Sequence, residues 1–478
     1  MADCFMIVLI SFLSFGVRSY MLGYPNVIVF DEVYFGNFSN AYLTEHFYSD
    51  IHPPFGKLLM AGIAYLTQYP GNINWGFKDI PGYYANETNY INLRLTPSVF
   101  SSFCSVLIYC SMRNLGFSIS TATAASFLTL FDITSIVEGR FILSDGMLHF
   151  FTCLHIFAFT LFLRKTSFLR TLFAGITLGF AFSCKLTAGG LILLDGLSQF
   201  IWLLKKRRPI AKVIVRASLL LVPCFSIHLI CWLIHFDILK FKDNTGGAYS
   251  EEGFSQYLYD PDLMNITYKG WRLQNRNHLK TIFEDLVRTH HANMRITNPH
   301  PWSSMPINWP FLLDKYVMFY SDVDFKSIRC HGSPMTYWSS SVFLILTPLL
   351  LFTRKLDWRI IITFFGWAFS YLPFIMVPRA MYLYHYIVPM FFASMNLAAV
   401  SECVLKNWPK ISLIFNIVIC VLSVTCTMYF APWVYGYQCM NCDEKLGWIR
   451  RWEFGPPDKV NFFGINAINT TLITGSFV

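Results

Sequence analysis

Apolar residues gather into eleven runs, at about residues 4–22, 94–112, 117–137, 144–163, 168–184, 188–204, 213–235, 338–353, 358–377, 384–404 and 411–430. Their lengths sit around the ~20 residues that an α-helix needs to cross the hydrocarbon of a bilayer. The first run carries Asp3 and lacks a basic leader, so it reads as a retained span rather than a cleaved signal peptide. Its uncharged part stops short at Arg18, which must either snorkel or face protein and ligand. The chain so divides into an N-terminal transmembrane region (1–235) with a first polar loop at 24–92, a second loop at 236–337, a four-helix region at 338–432 and a tail at 433–478. The fold class is an all-α polytopic membrane protein.

Composition agrees with the pattern. Of the 478 residues 54% are apolar and 14% charged, against about 25% charged in soluble domains. A net charge of +9 would suit nucleic acid, but the basic residues fall in short clusters between apolar runs and act as topology signals. One alternating set of loops holds Arg113; Arg164, Lys165 and Arg170; Lys205 to Arg208 and Lys212; Arg354, Lys355 and Arg359; and Lys406 and Lys410. By the positive-inside rule these are cytoplasmic. The loops at 24–92 and 236–337 and the tail then lie on the far side. The sequons at Asn37, Asn86, Asn265 and Asn469 all fall there, as glycosylation in a secretory lumen requires. Most of the 13 cysteines lie inside apolar runs. Cys439 and Cys442 do not, and a disulfide fits them better than a metal. No cluster has metal-ligand spacing, and no metal is expected.

The chemistry concentrates in the first loop. Phe30-Asp31-Glu32-Val33-Tyr34-Phe35-Gly36 puts two adjacent acids just beyond the first span, and Asp50-Ile51-His52-Pro53-Pro54-Phe55-Gly56-Lys57 adds a third acid and a histidine. Arg18, Arg94, Arg140 and Arg379 stand at far-side or intramembrane positions, as does Lys185, between two apolar runs. Guanidiniums grouped with carboxylates suit a phosphate, which the planar fork binds bidentately; for Arg140 a plain salt bridge with Glu138 is the alternative. A glycosyl phosphate leaves with the help of cations, and the attacking hydroxyl needs one base. His52, fixed by its prolines, is expected to be structural. His385 is expected to pack or to touch a lipid headgroup.

These stretches resemble the opening signature of the protein O-mannosyltransferases. So do Arg94-Leu95-Thr96-Pro97, Phe131-Asp132, Glu138-Gly139-Arg140-Phe141-Ile142-Leu143-Ser144-Asp145, His300-Pro301-Trp302-Ser303-Ser304, Asn308-Trp309-Pro310 and Tyr382-Leu383-Tyr384-His385-Tyr386, in family order between about residues 12 and 405. The resemblance implies a GT-C glycosyltransferase of the endoplasmic reticulum membrane with about eleven spans and a lumenal active site. It would transfer mannose from dolichyl phosphate mannose to Ser or Thr of secretory proteins with inversion, need no cofactor, and form a homo- or heterodimer with a family member. It implies an essential Asp31-Glu32 pair. Asp31 is taken as the base and Glu32 as orienting acceptor or sugar, although spacing alone lets the two exchange roles. Arg18, Arg94, Arg140, Arg379 and His385 would serve the lipid phosphate and sugar, and Asp50, His52, His300 and Trp302 the structure or the acceptor site.

Eukaryotic members of that family usually carry three MIR repeats in the second large loop. Here the loop is too short for them, and Leu279, Ile282, Phe283 and Leu286 predict an amphipathic helix in their place, with Asp285 and Arg288 on another face. Almost no cytoplasmic tail precedes the first span. The competing readings are a related GT-C enzyme acting on a lipid or glycan, a non-catalytic partner subunit, and a transporter; the last is disfavoured because no internal repeat of spans is visible.

Overall fold

The computed structural model describes residues 1–71, 73–77, 80–81, 89–206, 209–241, 258, 278–297, 300–322, 324–353 and 356–452. Each predicted apolar run within it is helical. The helices are α1 (Ala2–Ser19), α2 (Glu32–Leu43), α3 (Phe55–Leu66), α4 (Asn89–Asn114), α5 (Ile119–Leu130), α6 (Ile133–Glu138), α7 (Asp145–Arg164), α8 (Phe168–Cys184), α9 (Gly189–Lys206), α10 (Ile210–Ile238), α11 (His278–Met294), α12 (Pro334–Leu349), α13 (Trp358–Met376), α14 (Ile387–Val404) and α15 (Pro409–Tyr429), then the short α16 (Ala431–Tyr435) and α17 (Cys442–Leu446). Among the described residues nine helices are long and apolar enough to cross a membrane. Two more of the eleven predicted runs, α5 and α8, are helical and apolar but shorter. The run at 117–137 is cut because Asp132 leaves the helix and caps α6, its carboxylate accepting from Ser135 N at 2.9 Å.

The helices α4, α7 and α14 form the interior of the bundle, whereas α1, α10 and α15 leave rows of Phe, Leu, Ile and Val exposed, as a lipid-facing surface does. Close helix approach depends on small residues. On α8, Gly175 and Gly179 lie one turn apart against the backbone of α10, so that a Cβ on them would fall 2.6 Å from Leu220 O and 2.9 Å from Cys224 Cα. This is the small-residue packing that lets membrane helices touch where no hydrophobic force drives them together.

One end of the bundle carries the remaining structure. Pro53 and Pro54 stand between α2 and α3, as the expected bend requires. Strands β1 (Gly76–Phe77) and β2 (Ile80–Pro81) form a minimal pair. Strands β3 (Val317–Ser321) and β4 (Ser327–Cys330) pair antiparallel with Val317 opposite Cys330 and Met318 opposite Arg329. The disulfide between Cys439 and Cys442 is formed. The amphipathic helix predicted near 279–288 exists as α11, with Ile282 buried and Leu286 packed on the core as expected, but its buried face is turned: Phe283 is exposed, while Asp285 is buried with Thr289. Asp285 faces the charge of Lys57, and Thr289 Oγ1 donates to Asp50 O at 3.2 Å. Polar docking thus sets the helix rotation.

Gly175→Ala or Gly179→Ala should lower the melting temperature of the detergent-purified protein, since overpacking of this kind costs about 1–3 kcal/mol. Gly196→Ala on α9, where a Cβ meets nothing within 4 Å, is the control and should leave it unchanged or slightly raised.

Candidate active site

The segment between α1 and α2 is held by two buried arginines. Arg94 on α4 uses all five of its N–H groups: Nε and Nη2 bind the two carboxylate oxygens of Glu32 at 2.8 and 2.9 Å, and the rest go to Leu22 O, Pro25 O and Val27 O at 2.7–3.2 Å. Glu32 also accepts from Val29 N and Ile142 N, each at 3.0 Å. Both residues are fully buried. Arg140 donates to Tyr20 O and Val434 O at 2.8 Å and to Met21 O at 3.1 Å, with its guanidinium 4.7 Å from the Tyr435 ring. Fixed at both ends, the segment brings Phe30 into the left-handed region at φ +47° and sets Asp31 at the start of α2. A phenylalanine holds such a conformation only where its surroundings impose it.

Asp31 faces a second charged group. Lys185, which follows the last residue of α8, donates to both oxygens of Asp145 at 2.8 and 2.7 Å. Its Nζ lies 5.8 Å from the centre of the Tyr384 ring, which meets Phe30 edge-on at 6.1 Å. Glu138 accepts from Cys330 Sγ at 3.5 Å and feels the charges of Asp145, Lys185 and Asp31. The rings of Tyr382, Tyr384 and His385 lie near-parallel to one another, with Tyr384 5.5 Å from Tyr382 and 4.6 Å from His385. Burial first, and then the charges of Lys185, Lys57 and Arg379, hold His52 well below the ordinary imidazole pKa. Burial raises the Asp31 carboxyl to about 7; Lys185 opposes the rise, and Asp145 and Asp50 add to it. A carboxylate poised there, facing the charge of Lys185, can take a proton from a hydroxyl near neutral pH while the lysine meets a phosphate.

A sequence model of the dolichyl-phosphate-mannose-protein mannosyltransferases matches residues 8–240, and one of the C-terminal four-helix region of the protein O-mannosyltransferases matches residues 279–452. The chain belongs to the protein O-mannosyltransferase family. It is 34% identical over 249 residues to dolichyl-phosphate-mannose–protein mannosyltransferase 3 of Saccharomyces cerevisiae, covering 49% of this chain and 32% of that one. It is 31% identical over 272 residues to mannosyltransferase 2 of Candida albicans, covering 52% and 34%. In these matches the chain spans about a third of each relative's length. Among solved structures it resembles the S. cerevisiae protein O-mannosyltransferase Pmt1-Pmt2 complex bound to the sugar donor, with TM-score 0.82, 16% identity, and 95% of this chain and 93% of that one covered. It also resembles the Archaeoglobus fulgidus oligosaccharyltransferase, with TM-score 0.52, 12% identity and coverage of 95% and 59%. Both likenesses are of fold.

Several expectations for a mannosyltransferase site need correction. Arg94 and Arg140 were expected at a lipid phosphate, but the donors of Arg94 are taken up by Glu32 and backbone carbonyls, and the two terminal nitrogens of Arg140 by backbone carbonyls. Arg140 does not pair with Glu138 either. Arg18 is fully buried and donates to Ser14 Oγ at 2.9 Å and Ser135 Oγ at 3.0 Å, tying α1 to α6. Glu32, expected to orient acceptor or sugar, is enclosed and saturated. Asn37 lies within α2, its amide donating to Gly76 O at 3.1 Å, so this sequon is folded in rather than presented. Asn86, Asn265 and Asn469 lie outside the described residues.

The other expected residues have the following surroundings. Arg379, bonded to Asn293 Oδ1 and to Ala380 O, and His385, which bonds Tyr382 and stacks on Trp309, act electrostatically on His52. Asp50 pairs with Lys57. His300 accepts from Trp302 N at 3.2 Å, and its ring packs against Tyr382 at 5.4 Å. Sequence reasoning did not place Lys185 and Asp145 in the site. The available signal was Lys185 itself, a lone cation between two apolar runs that breaks the positive-inside pattern.

Neutralising Glu32 (Glu32→Gln) or truncating Arg94 (Arg94→Ala) should destabilise the fold by about 3–5 kcal/mol, the usual result of breaking a buried pair, seen as early thermal unfolding. Asp31→Asn should fold normally. Because the folded-state pKa of Asp31 lies above the ordinary 3.8, its protonation contributes stability that is fully present below about pH 4 and lost as pH rises through about 7. Thermal melts of wild type and Asp31→Asn across that window should therefore converge at low pH and diverge towards neutrality, with the variant the more stable.

Proposed function

We propose that the chain is a glycosyltransferase that moves mannose from dolichyl phosphate mannose to a Ser or Thr hydroxyl of a polypeptide. The observation that carries this is the division of labour between adjacent acids. Glu32 is wholly occupied by Arg94 and two backbone amides, while Asp31 sits with a raised pKa opposite Lys185. The acceptor oxygen attacks the anomeric carbon from the face opposite the phosphate, so that the configuration inverts. Asp31 takes the hydroxyl proton, the bond from that carbon to the phosphate oxygen breaks, and dolichyl phosphate leaves with the electron pair. Lys185 gives two N–H groups to Asp145 and has a third for a phosphate oxygen; Arg379 supplies a second cation. These two charges take the part that a resident metal plays in other phosphate-leaving reactions.

On this reading the Asp31 end of the bundle is lumenal, the protein resides in the endoplasmic reticulum membrane, and it works paired with a second family member. The relatives named as protein mannosyltransferases support the acceptor class, and the donor-bound Pmt1-Pmt2 complex supports the pairing.

Microsomes containing the chain, given labelled dolichyl phosphate mannose and a Ser/Thr peptide, should label the peptide, with or without EDTA. The Asp31→Asn protein should lose about 10²- to 10⁴-fold, the range for removing a general base, and kcat/KM should fall on acidification through about pH 7. Lys185→Met should raise the KM for donor. Label found only in lipid or glycan would reject the acceptor assignment, and full activity in Asp31→Asn would reject the base.

A further inference from the structure

The Cys439–Cys442 disulfide takes no part in the chemistry above, and its surroundings are asymmetric. Cys442 is 7% exposed, Cys439 is half-buried, and Met440 between them is 73% exposed. The pair borders a small cavity of about 40 Å³ under the β3–β4 hairpin, lined also by Met318, Phe325, Lys326 and Arg329. The loop is pinned to the hairpin by Cys439 N donating to Phe325 O at 3.2 Å and by Arg329 contacting Asp443 Oδ1 at 2.5 Å. Both cations are paired, Arg329 with Asp443 and Lys326 with Asp324 at 3.5 Å, so the charges bordering the sulfurs are balanced. Phe325, 44% exposed, and Met440 give the cavity beside Cys439 an apolar lip. A bridge across two intervening residues closes the kind of short loop that restrains an unfolded chain least. An exchange reaction, by contrast, needs one reachable sulfur and one sheltered sulfur.

The same hairpin reaches Phe30, the residue before Asp31. Phe319, next to Met318 on β3, stacks on Phe30 at 4.7 Å, and Cys330 at the end of β4 contacts Glu138. The disulfide cavity and the acid site thus lie on either side of a two-stranded hairpin.

We propose that Cys439–Cys442 is a thiol–disulfide exchange site that captures a cysteine-bearing polypeptide as a mixed disulfide, on the other side of the hairpin from Asp31. A cysteine thiolate of the polypeptide attacks Cys439 Sγ. The bond to Cys442 breaks, and Cys442 leaves with the electron pair as a thiolate. The new disulfide joins the polypeptide to Cys439; Cys442 then attacks Cys439 Sγ, restores the original bridge and expels the polypeptide thiolate, with no net oxidation. That the captured chain is the mannose acceptor rests on the function proposed above; the sulfur chemistry does not.

The test uses the full chain in membranes without mannose donor, so that failure of glycosyl transfer cannot affect the readout. The probe is a Ser/Thr-rich peptide whose single cysteine is delivered as its glutathione mixed disulfide, with a Cys→Ser peptide as control. In the Cys442→Ala protein, Cys439 should accumulate a peptide conjugate, mapped by mass spectrometry, at least tenfold above Cys442 in the Cys439→Ala protein. In wild type, alkylation should show the pair partly reduced in a glutathione mixture like that of the secretory lumen. Equal or absent conjugation of the two variants, or a wild-type pair that stays fully oxidised in that mixture, overturns the proposal; the wild-type measurement stands even if a variant misfolds.

Discussion

The ion pair between Glu32 and Arg94 is the constraint on which the site depends. Two opposite charges out of reach of water are tolerated only when every remaining donor and acceptor is met, and here four backbone carbonyl or amide groups from the 22–29 segment and one from residue 142 complete the set. The pair is therefore less a stabilising bond than a template. It has one geometry in which its polar groups are satisfied, and that geometry fixes the course of the chain up to residue 32. Asp31 is carried to its place by its neighbour.

This explains how two adjacent acids acquire opposite characters. Glu32 is at the first position of a helix and turned into the bundle, where its charge is fully compensated. Asp31, one residue earlier, meets Lys185 only across the site, and Lys185 is already shared with Asp145. Undercompensated burial raises its pKa, which suits a group that must hold and release a proton. Adjacent acids in one dipeptide thus differ because one is spent on structure.

The spans were legible because apolar runs of membrane length leave few other solutions, and the first loop because acids at a membrane boundary are conspicuous. The roles of the arginines were less so. Arg18, Arg94 and Arg140 share type and position with phosphate ligands, and nothing in their spacing announces that a folded-over loop would offer them backbone carbonyls instead. Asp285 misled for a related reason: amphipathicity counts it as a surface residue, whereas its partner Lys57 lies more than two hundred positions away in sequence. Lys185 was visible as an anomaly, but its meaning required Asp145, which lies 40 residues earlier and reads in isolation as the polar start of an apolar helix.

The placement of that last pair follows from helix electrostatics. Asp145 is the first residue of α7, and Lys185 directly follows the end of α8, the antiparallel helix packed beside it. Helix N-termini favour acids and C-termini favour cations, so each charge lies where its own helix stabilises it, and the two meet because antiparallel neighbours bring opposite termini together. Neither charge needs to enter the hydrocarbon. The consequence is a cation held at a fixed depth at the mouth of the bundle, where a phosphate headgroup travels while its lipid tail stays in the bilayer. On the proposed function, Asp31 from the first loop and Lys185 from the end of α8 come from different parts of the chain, as an in-line displacement between base and phosphate cation requires.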